Sequence, residues 1–234
     1  PSLIQNVINY SQAFFQLPQH IKDTYSTSHN SINRGYTRLL EEKLGPSDVM
    51  SMGDTKEGFY IGKELPSTDT RRFHGPNVWP NEHQAERNTA HDHSIQGFRS
   101  AMEEYWTQCH QLAMILVKVL SHALTGNIDT FNQLGWVKEP MAFVRLLHYA
   151  AIKSDINQGV YACGEHSDYG LITLLYTTDP GLEVFTKQNQ WLRIDPKPNA
   201  FVVNIGDMTE LISGGRYKST KHRVINLDGE ERYS

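Results

Sequence analysis

A histidine and an aspartate two residues apart form the first pattern in this sequence that could bind a metal. His166 and Asp168 flank Ser167, and residues i and i+2 of a β-strand point to the same face, so both side chains can reach one ion. The chain contains 11 histidines, so the expected number of chance His-x-Asp matches is about 0.5, and one match alone is a weak signal. The pair needs a third ligand before it predicts a site.

His222 is the candidate for that ligand, because it opens the strand-like residues 222–226. A barrel can bring it beside the first two side chains. Two neutral imidazoles and one carboxylate leave coordination positions open for other molecules, as in mononuclear non-haem iron(II) sites. Zinc accepts the same ligand types in hydrolytic sites, but the sequence has no His-Glu-x-x-His motif.

Several other polar residues fit structural roles. The tripeptide His91-Asp92-His93 stands at the start of a long helical pattern, where Asp92 is a good N-cap, so a helix start is predicted there and not a second metal site. His148 should point to the opposite face of its strand from Tyr149. Cys163 fits a buried thiol, and Asp207 fits a turn in which the carboxylate binds its own backbone.

The elements that must position these residues begin with helix and loop. Residues 2–16 place apolar side chains at helical spacing, whereas residues 30–90 are rich in Gly, Pro, Asn and Ser and are predicted to be mostly loop, with a strand-like piece at 58–61. Residues 93–124 predict a long amphipathic helix that packs along a large apolar body and stops at Gly126. Its predicted buried face consists of Phe98, Met102, Tyr105, Cys109, Leu112, Leu116 and Val119.

After Pro140 the apolar period becomes that of strands. Short runs rich in Val, Ile, Leu and Tyr lie at 141–149, 171–176, 181–185, 201–205 and 222–226. No helical pattern alternates with them, which favours an antiparallel sandwich or barrel. The predicted fold is mainly β with a helical N-terminal part: a jelly roll packed against a long helix. The predicted regions are 1–135 for the helices and loops and 136–234 for the β core.

Composition excludes several classes of function. The 38% hydrophobic and 21% charged residues are typical of a globular chain. The longest apolar stretch, 112–120, contains Lys118 and is too short to span a bilayer. A formal charge of −4 gives no basic field for phosphate backbones. Neither nucleic acid nor a membrane is therefore a predicted partner.

The cysteines and the chain ends bear on localisation. Cys109 and Cys163 are too few for a disulfide framework or a four-thiolate zinc site. Their scarcity suits a reducing compartment, so the predicted localisation is cytoplasmic. Because the sequence starts at Pro1 without methionine and stops at Ser234 in a strand-like run, we expect a piece of a longer protein whose start and end are missing.

An ordered run of motifs carries a resemblance to a known family. It comprises residues 166–175, which begin His-Ser-Asp-Tyr-Gly, then Pro-Gly-Leu-Glu-Val at 180–184, Phe-Val-Val-Asn-Ile-Gly-Asp at 201–207, residues 215–226, and Arg-Tyr-Ser at 232–234. Shorter matches upstream are Asn-Arg-Gly-Tyr at 33–36 and Lys-Glu-Gly-Phe at 56–59. The run resembles the 2-oxoglutarate/iron(II) oxygenase superfamily, in the branch that contains isopenicillin N synthase and the plant flavonoid and gibberellin oxygenases.

The resemblance implies a fold and a metal. The fold would be a double-stranded β-helix, which is a distorted jelly roll with the metal near its open mouth. His166, Asp168 and His222 match the iron(II) ligands of the family. Iron(II) is thus the expected ion.

The same resemblance implies a co-substrate site. Arg232 and Ser234 match the Arg-x-Ser pair that binds the distal carboxylate of 2-oxoglutarate, and Tyr149 matches a tyrosine that often assists there. A guanidinium can bind a carboxylate through two parallel hydrogen bonds, and a neighbouring hydroxyl adds a third.

The expected reaction is oxidation of a free small organic molecule, by hydroxylation or desaturation, with 2-oxoglutarate and O₂ as co-substrates and succinate and CO₂ as products. Ascorbate is a candidate reductant. Family substrates lie against the N-terminal segment and early strands. The candidate lining residues are therefore Tyr36, Phe59, Tyr60, Phe143 and Arg145. An Arg145 that faces the pocket would favour a carboxylated substrate.

Three alternatives stay open at this point. Isopenicillin N synthase and aminocyclopropane-carboxylate oxidase keep the same motifs without using 2-oxoglutarate, so Arg-x-Ser does not fix the co-substrate. A metal-free jelly-roll binding module and a metallohydrolase are the other two. The sequence predicts neither the substrate nor the oligomeric state.

Overall fold

The computed structural model describes residues 2–46, 49–80 and 95–234. The helices there are α1 (Ser2–Phe15), α2 (Gln19–Asp23), α3 (Phe98–Thr125), α4 (Thr130–Gln133) and α5 (Asp207–Ile212). The strands are β1 (Gly35–Thr37), β2 (Lys56–Gly62), β3 (Phe143–Tyr149), β4 (Cys163–His166), β5 (Ile172–Leu175), β6 (Leu182–Phe185), β7 (Trp191–Ile194), β8 (Val202–Ile205), β9 (His222–Val224) and β10 (Arg232–Tyr233).

One layer of the molecule is an antiparallel sheet in the order β1-β2-β3-β10. Strand β2 is central in it, is buried along nearly its whole length, and contains the predicted strand-like piece at 58–61. Its full length was not predicted, because a strand covered on both faces shows no alternation of apolar and polar residues. The sheet joins strands from both predicted regions, and the boundary at 135/136 stays a prediction.

The two faces of this sheet contact different parts of the molecule, and the strand register shows which residues lie on each face. Directly paired residues share a face, so Phe59 lies with its partner Leu146. Helices α1 and α3 cover that face, where Phe14 and Phe98 form one aromatic core with Phe59. The opposite face carries Lys56, Arg145, Tyr149 and Arg232, and turns toward the second layer.

The second layer consists of a sheet in the order β4-β9-β6-β7 and a separate pair β5-β8. It meets the first sheet through a small core of Leu147 and Tyr149 from β3 against Cys163 and Val224 from β4 and β9. The pair β5-β8 packs on the far half of α3. Two facing layers of antiparallel strands beside a long helix agree with the predicted jelly roll. The predicted strand runs are found with ends shifted by at most two residues, whereas β1, β7 and α5 were not predicted.

Helix α3 departs from its predicted buried face in its second half. Phe98 and Met102 are fully buried, but Val119 is 61% exposed, and Val117 and Leu120 are buried in its place. The predicted residues follow a seven-residue repeat, which drifts about 20° around a straight helix per heptad. After three heptads the predicted apolar face therefore no longer points toward the core. The predicted helix start and the tripeptide His91-Asp92-His93 lie outside the described residues. Nowhere in the described ranges is a helix both long and apolar enough to cross a membrane.

Candidate metal centre

Strands β4 and β9 bring two histidines side by side. His166 pairs directly with His222, and their ring centroids are 4.3 Å apart. Cys163 pairs with Val224, so two residues of β4 oppose one residue of β9, which is the arrangement of a β-bulge. In a regular strand residues i and i+3 would point to opposite faces. The bulge instead places Cys163 Sγ 3.8 Å from His166 Nδ1.

Asp168 completes the cluster from a loop. It lies two residues beyond the end of β4, so the prediction that both ligands share one strand was wrong. Its Oδ1 is 3.8 Å from His166 Nε2 and 3.7 Å from His222 Nε2. Bonds of about 2.0–2.2 Å to one divalent ion can span such distances. This is the one group of three or more His, Cys, Asp or Glu ligand atoms, all within 4.8 Å of one another, found in the described ranges.

Backbone carbonyls fix the orientation of both imidazoles. His166 Nδ1 lies 2.8 Å from Gly164 O, and His222 Nδ1 lies 3.0 Å from Thr220 O. A carbonyl can only accept, so each Nδ1 carries the proton and each Nε2 presents its lone pair to the cluster. Burial and the nearby His166 lower the pKa of His222. His222 is therefore neutral near pH 7, as a metal ligand must be.

The second oxygen of Asp168 is held by two residues that the sequence analysis missed. Thr173 Oγ1 donates to Oδ2 at 2.6 Å and Asn204 Nδ2 donates at 2.8 Å. Burial opposes ionisation, but these hydrogen bonds and the two histidines keep the pKa of Asp168 below 3.8. Thr173 and Asn204 face each other across β5-β8. Each is a single polar residue inside an apolar strand run, and that pattern could have indicated a side chain that faces the site.

Asp207 also differs from its prediction. It is the first residue of α5, and its Oδ2 accepts a hydrogen bond from Ser167 Oγ at 3.2 Å instead of binding its own backbone. Its backbone N–H donates to Asp168 O at 2.7 Å. The start of α5 thus anchors the loop that carries Asp168.

A buried cation lies at the end of the first sheet. Arg232 is 3% exposed, and its guanidinium stacks 4.6 Å above the Tyr149 ring. Its Nε donates to Asp179 O at 3.2 Å, while Nη1 and Nη2 are buried and have no hydrogen-bond partner among the described residues. Ser234 Oγ lies 3.5 Å from the Tyr149 hydroxyl. The predicted co-substrate residues are therefore brought together, with two guanidinium nitrogens able to donate.

The five candidate lining residues divide between the two faces of the first sheet. Tyr36 and Phe59 are fully buried in the aromatic core on the helix side. A lining role does not fit them, because strand parity directs them away from the metal layer. Tyr60, Phe143 and Arg145 lie on the face turned toward that layer.

Arg145 is already paired on that face. Its Nη2 forms an ion pair with Glu42, and its guanidinium stacks on the Tyr60 ring at 4.5 Å. Burial opposes the ionisation of Glu42, but Arg145 and Lys56 hold its pKa below 4.5. Arg145 is thus neutralised, which removes the reason to expect a carboxylated substrate.

His148 and Cys163 occupy structural positions. His148 lies on the helix side of the sheet, with Nδ1 2.7 Å from Glu57 Oε1 and its ring stacked on Tyr233. Burial raises the pKa of the Cys163 thiol to about 11, so the thiol stays protonated at neutral pH.

Two family models match this chain. The 2OG-Fe(II) oxygenase superfamily matches residues 142–234, and the N-terminal region described as non-haem dioxygenase in morphine synthesis matches residues 1–82. A 2-oxoglutarate-dependent dioxygenase of Didymella fabae is 35% identical over 99% of the chain, which spans 70% of that relative. The chain belongs to the 2OG-Fe(II) oxygenase superfamily.

Other superfamily members are similarly close. The 2-oxoglutarate-Fe(II) type oxidoreductase hxnY of Emericella nidulans is 35% identical over 97% of the chain, which spans 64% of that protein. A full-length Neurospora crassa protein, crystallised in complex with alpha-ketoglutarate, has a TM-score of 0.79 and 31% identity, covering all of this chain and 70% of its own. The predicted family, jelly-roll fold, dioxygenase class, and use of iron(II) and 2-oxoglutarate are confirmed at the level of the superfamily.

Proposed function

We propose that this protein hydroxylates or desaturates a free small molecule, using iron(II), 2-oxoglutarate and O₂ and releasing succinate and CO₂. The observation that carries the proposal is the convergence of two Nε2 atoms and one carboxylate oxygen on one point. His166, Asp168 and His222 would hold the metal. The protonated Nδ1 atoms and the ionised Asp168 match what a divalent ion requires of such a donor set.

Arg232 supports the choice of co-substrate. A buried guanidinium without a carboxylate partner is costly, and its Nη1 and Nη2 could bind the distal carboxylate of 2-oxoglutarate in a bidentate manner. The hydroxyls of Tyr149 and Ser234 would add further hydrogen bonds. When bound, iron(II) supplies the activation of O₂ and the oxidation of the substrate C–H bond, while these residues orient the co-substrate and exclude water.

For the substrate we propose a small molecule whose surface is uncharged where it contacts Tyr60 and Arg145 of the first sheet. The ion pair with Glu42 occupies the cation of Arg145 there. The Tyr60 hydroxyl donates to Glu42 and can still accept a hydrogen bond from a neutral substrate. The Neurospora crassa protein, which has also been crystallised with alpha-ketoglutarate and thymine, is 29% identical to this chain in that complex. A cytoplasmic location would suit the two free cysteines.

The test is oxygen consumption by the metal-free protein supplied with Fe(II) and ascorbate, with and without 2-oxoglutarate, across a panel of neutral small molecules. We expect turnover that requires both 2-oxoglutarate and Fe(II) and that yields one succinate per substrate oxidised. Substrate-dependent turnover without 2-oxoglutarate would instead indicate an oxidase of the isopenicillin N synthase type. Product formation without oxygen consumption, when Zn(II) replaces Fe(II), would indicate a hydrolase.

A further inference from the structure

The bulge in β4 frees a backbone N–H beside the metal ligands, and a buried carboxylate accepts it. Gly164 lies within the bulge, and its N–H donates to Asp54 Oδ1 at 2.9 Å. Asp54 is fully buried. Without that carboxylate the Gly164 N–H would be a buried donor outside the ladder, which proteins rarely leave unsatisfied.

The carbonyl group of Gly164 contacts the proposed metal ligand His166. Gly164 O accepts the proton on His166 Nδ1 at 2.8 Å. Asp54 therefore acts on His166 through one residue: its carboxylate fixes the N–H of Gly164, and the carbonyl of Gly164 fixes the tautomer and the ring. A Cβ on residue 164 would come 2.4 Å from Gly45 N, so only glycine allows this close approach of the bulge to the loop at Gly45.

Lys56 makes it possible to bury the carboxylate. Its Nζ forms an ion pair with Asp54 Oδ2 and lies 3.2 Å from Glu42 Oε2, and Lys56 itself is 2% exposed. The two oxygens of Asp54 are thus divided between a cation and the bulge. A carboxylate can serve both at once, because each oxygen accepts independently.

We infer that Asp54, with Lys56 as its counter-ion, is a positioning residue that holds His166 in the metal-binding orientation through the backbone of Gly164. This inference rests on the proposed metal site. It assigns a functional role to the N-terminal region, since Asp54 and Lys56 come from the chain before α3.

The test compares two buried carboxylates, Asp54 just before β2 and Glu57 within it. Asp54→Asn cannot satisfy both partners, because the amide presents one acceptor and one donor. Glu57→Gln is the matched control: Glu57 also pairs with a buried lysine, Lys22, at 2.7 Å, but it lies on the helix side of β2. Co(II) binding to the metal-free full chain, followed by its visible absorption, gives the dissociation constant of each variant without relying on turnover.

We expect D54N to bind Co(II) about 10- to 100-fold more weakly than wild type, as is typical when a partner that orients a metal ligand is lost, and E57Q to bind like wild type. If D54N bound Co(II) as tightly as wild type, this inference would be overturned and the proposed function would stand. Equal weakening in D54N and E57Q would also overturn it, because general destabilisation would then suffice. A wild type that does not bind Co(II) would overturn the proposed function itself.

A measurement on the wild-type protein keeps the inference testable if D54N fails to fold. In ¹⁵N-labelled metal-free protein we expect His166 to be protonated at Nδ1 and the Gly164 amide to exchange slowly with solvent. A Gly164 amide that exchanges as fast as an exposed loop amide would overturn the inference.

Discussion

At the scale of single residues, the site depends on which hydrogen-bonding atoms already have partners. The Nδ1 atoms of His166 and His222 and the Oδ2 of Asp168 all have hydrogen-bond partners, whereas the atoms that face the centre accept no hydrogen bond from the described residues. Arg232 follows the same logic, with Nε bound and both Nη atoms available among the described residues. Each residue is thereby oriented before any ligand arrives, which reduces the ordering cost of binding.

Replacing Arg232 should weaken 2-oxoglutarate and spare the metal. We expect Arg232→Ala to raise the apparent KM for 2-oxoglutarate more than tenfold, since loss of a buried charge-assisted pair costs on the order of 2–5 kcal/mol, while Co(II) affinity changes little. Arg232→Lys should recover only part, because an ammonium cannot make the bidentate contact. Arg193→Ala, at an exposed arginine of β7, is the control. An unchanged KM in R232A would contradict the assignment.

Removing the hydroxyl of Thr173 should make metal binding more sensitive to acid. The hydrogen bond from Thr173 helps to keep the pKa of Asp168 below 3.8, and a carboxylate is deprotonated only above its pKa. In Thr173→Val that pKa should rise, so protons compete with the metal at higher pH. Co(II) titrations across about pH 4–7 should show the acid limb shifted upward relative to wild type and to Thr186→Val, whose hydroxyl accepts a hydrogen bond from the Gln190 N–H instead of binding Asp168. Superimposed pH profiles would refute the role of Thr173.

At the scale of elements, the short strands of the second half follow their alternating apolar residues closely, so the sequence predicts them well. Only residues 58–61 of the central strand β2 are predicted, because both of its faces are buried and because Lys56 and Glu57 resemble surface charges until their partners are known. The cluster of His166, Asp168 and His222 was predictable because the residue types and their order are specific. Asn204 was not, since its contact with Asp168 joins two segments distant in the chain.

Helix α3 allows a direct test of which side chains stabilise the fold. Met102→Ala should lower the free energy of unfolding by about 2–5 kcal/mol, because the side chain is fully buried and its loss leaves a cavity. Val119→Ala, on the predicted face that proved to be 61% exposed, should change it by less than about 0.5 kcal/mol. Denaturant unfolding of the metal-free proteins measures both. Similar losses in the two variants would restore the original prediction of one continuous buried stripe.

At the scale of the whole molecule, the N-terminal region contributes charges to the face that looks toward the metal layer. Glu42 reaches Arg145 of β3 and Lys56 of β2, and its Oε1 accepts from the Tyr60 hydroxyl at 3.0 Å. The two acids Glu42 and Asp54 balance the two cations Lys56 and Arg145. A substrate that reaches Arg145 therefore meets a group of charges that sums to zero.

Neutralising Glu42 should change the preference among substrates. In Glu42→Gln the guanidinium of Arg145 loses its counter-ion, so carboxylated analogues should gain in kcat/KM relative to neutral ones, by about tenfold if one charge-assisted hydrogen bond of about 1.5 kcal/mol is formed. Competition between a neutral substrate and its carboxylated analogue measures the ratio directly. Glu183→Gln, which breaks the pair with Arg223 in the second layer, is the control. An unchanged ratio in E42Q would place the substrate away from Arg145.

The row formed by Lys56, Tyr149 and Arg232 across three neighbouring strands has a consequence for protein synthesis. Its members leave the ribosome in that order, so the proposed 2-oxoglutarate site of Tyr149, Arg232 and Ser234 closes only when β10 has docked against β3. The proposed metal ligands His166, Asp168 and His222 emerge before Arg232. A nascent chain could thus gather the metal-binding residues while the proposed site for 2-oxoglutarate, which donates two electrons to O₂, is still unfinished. This order would delay oxidative chemistry until the fold is in place.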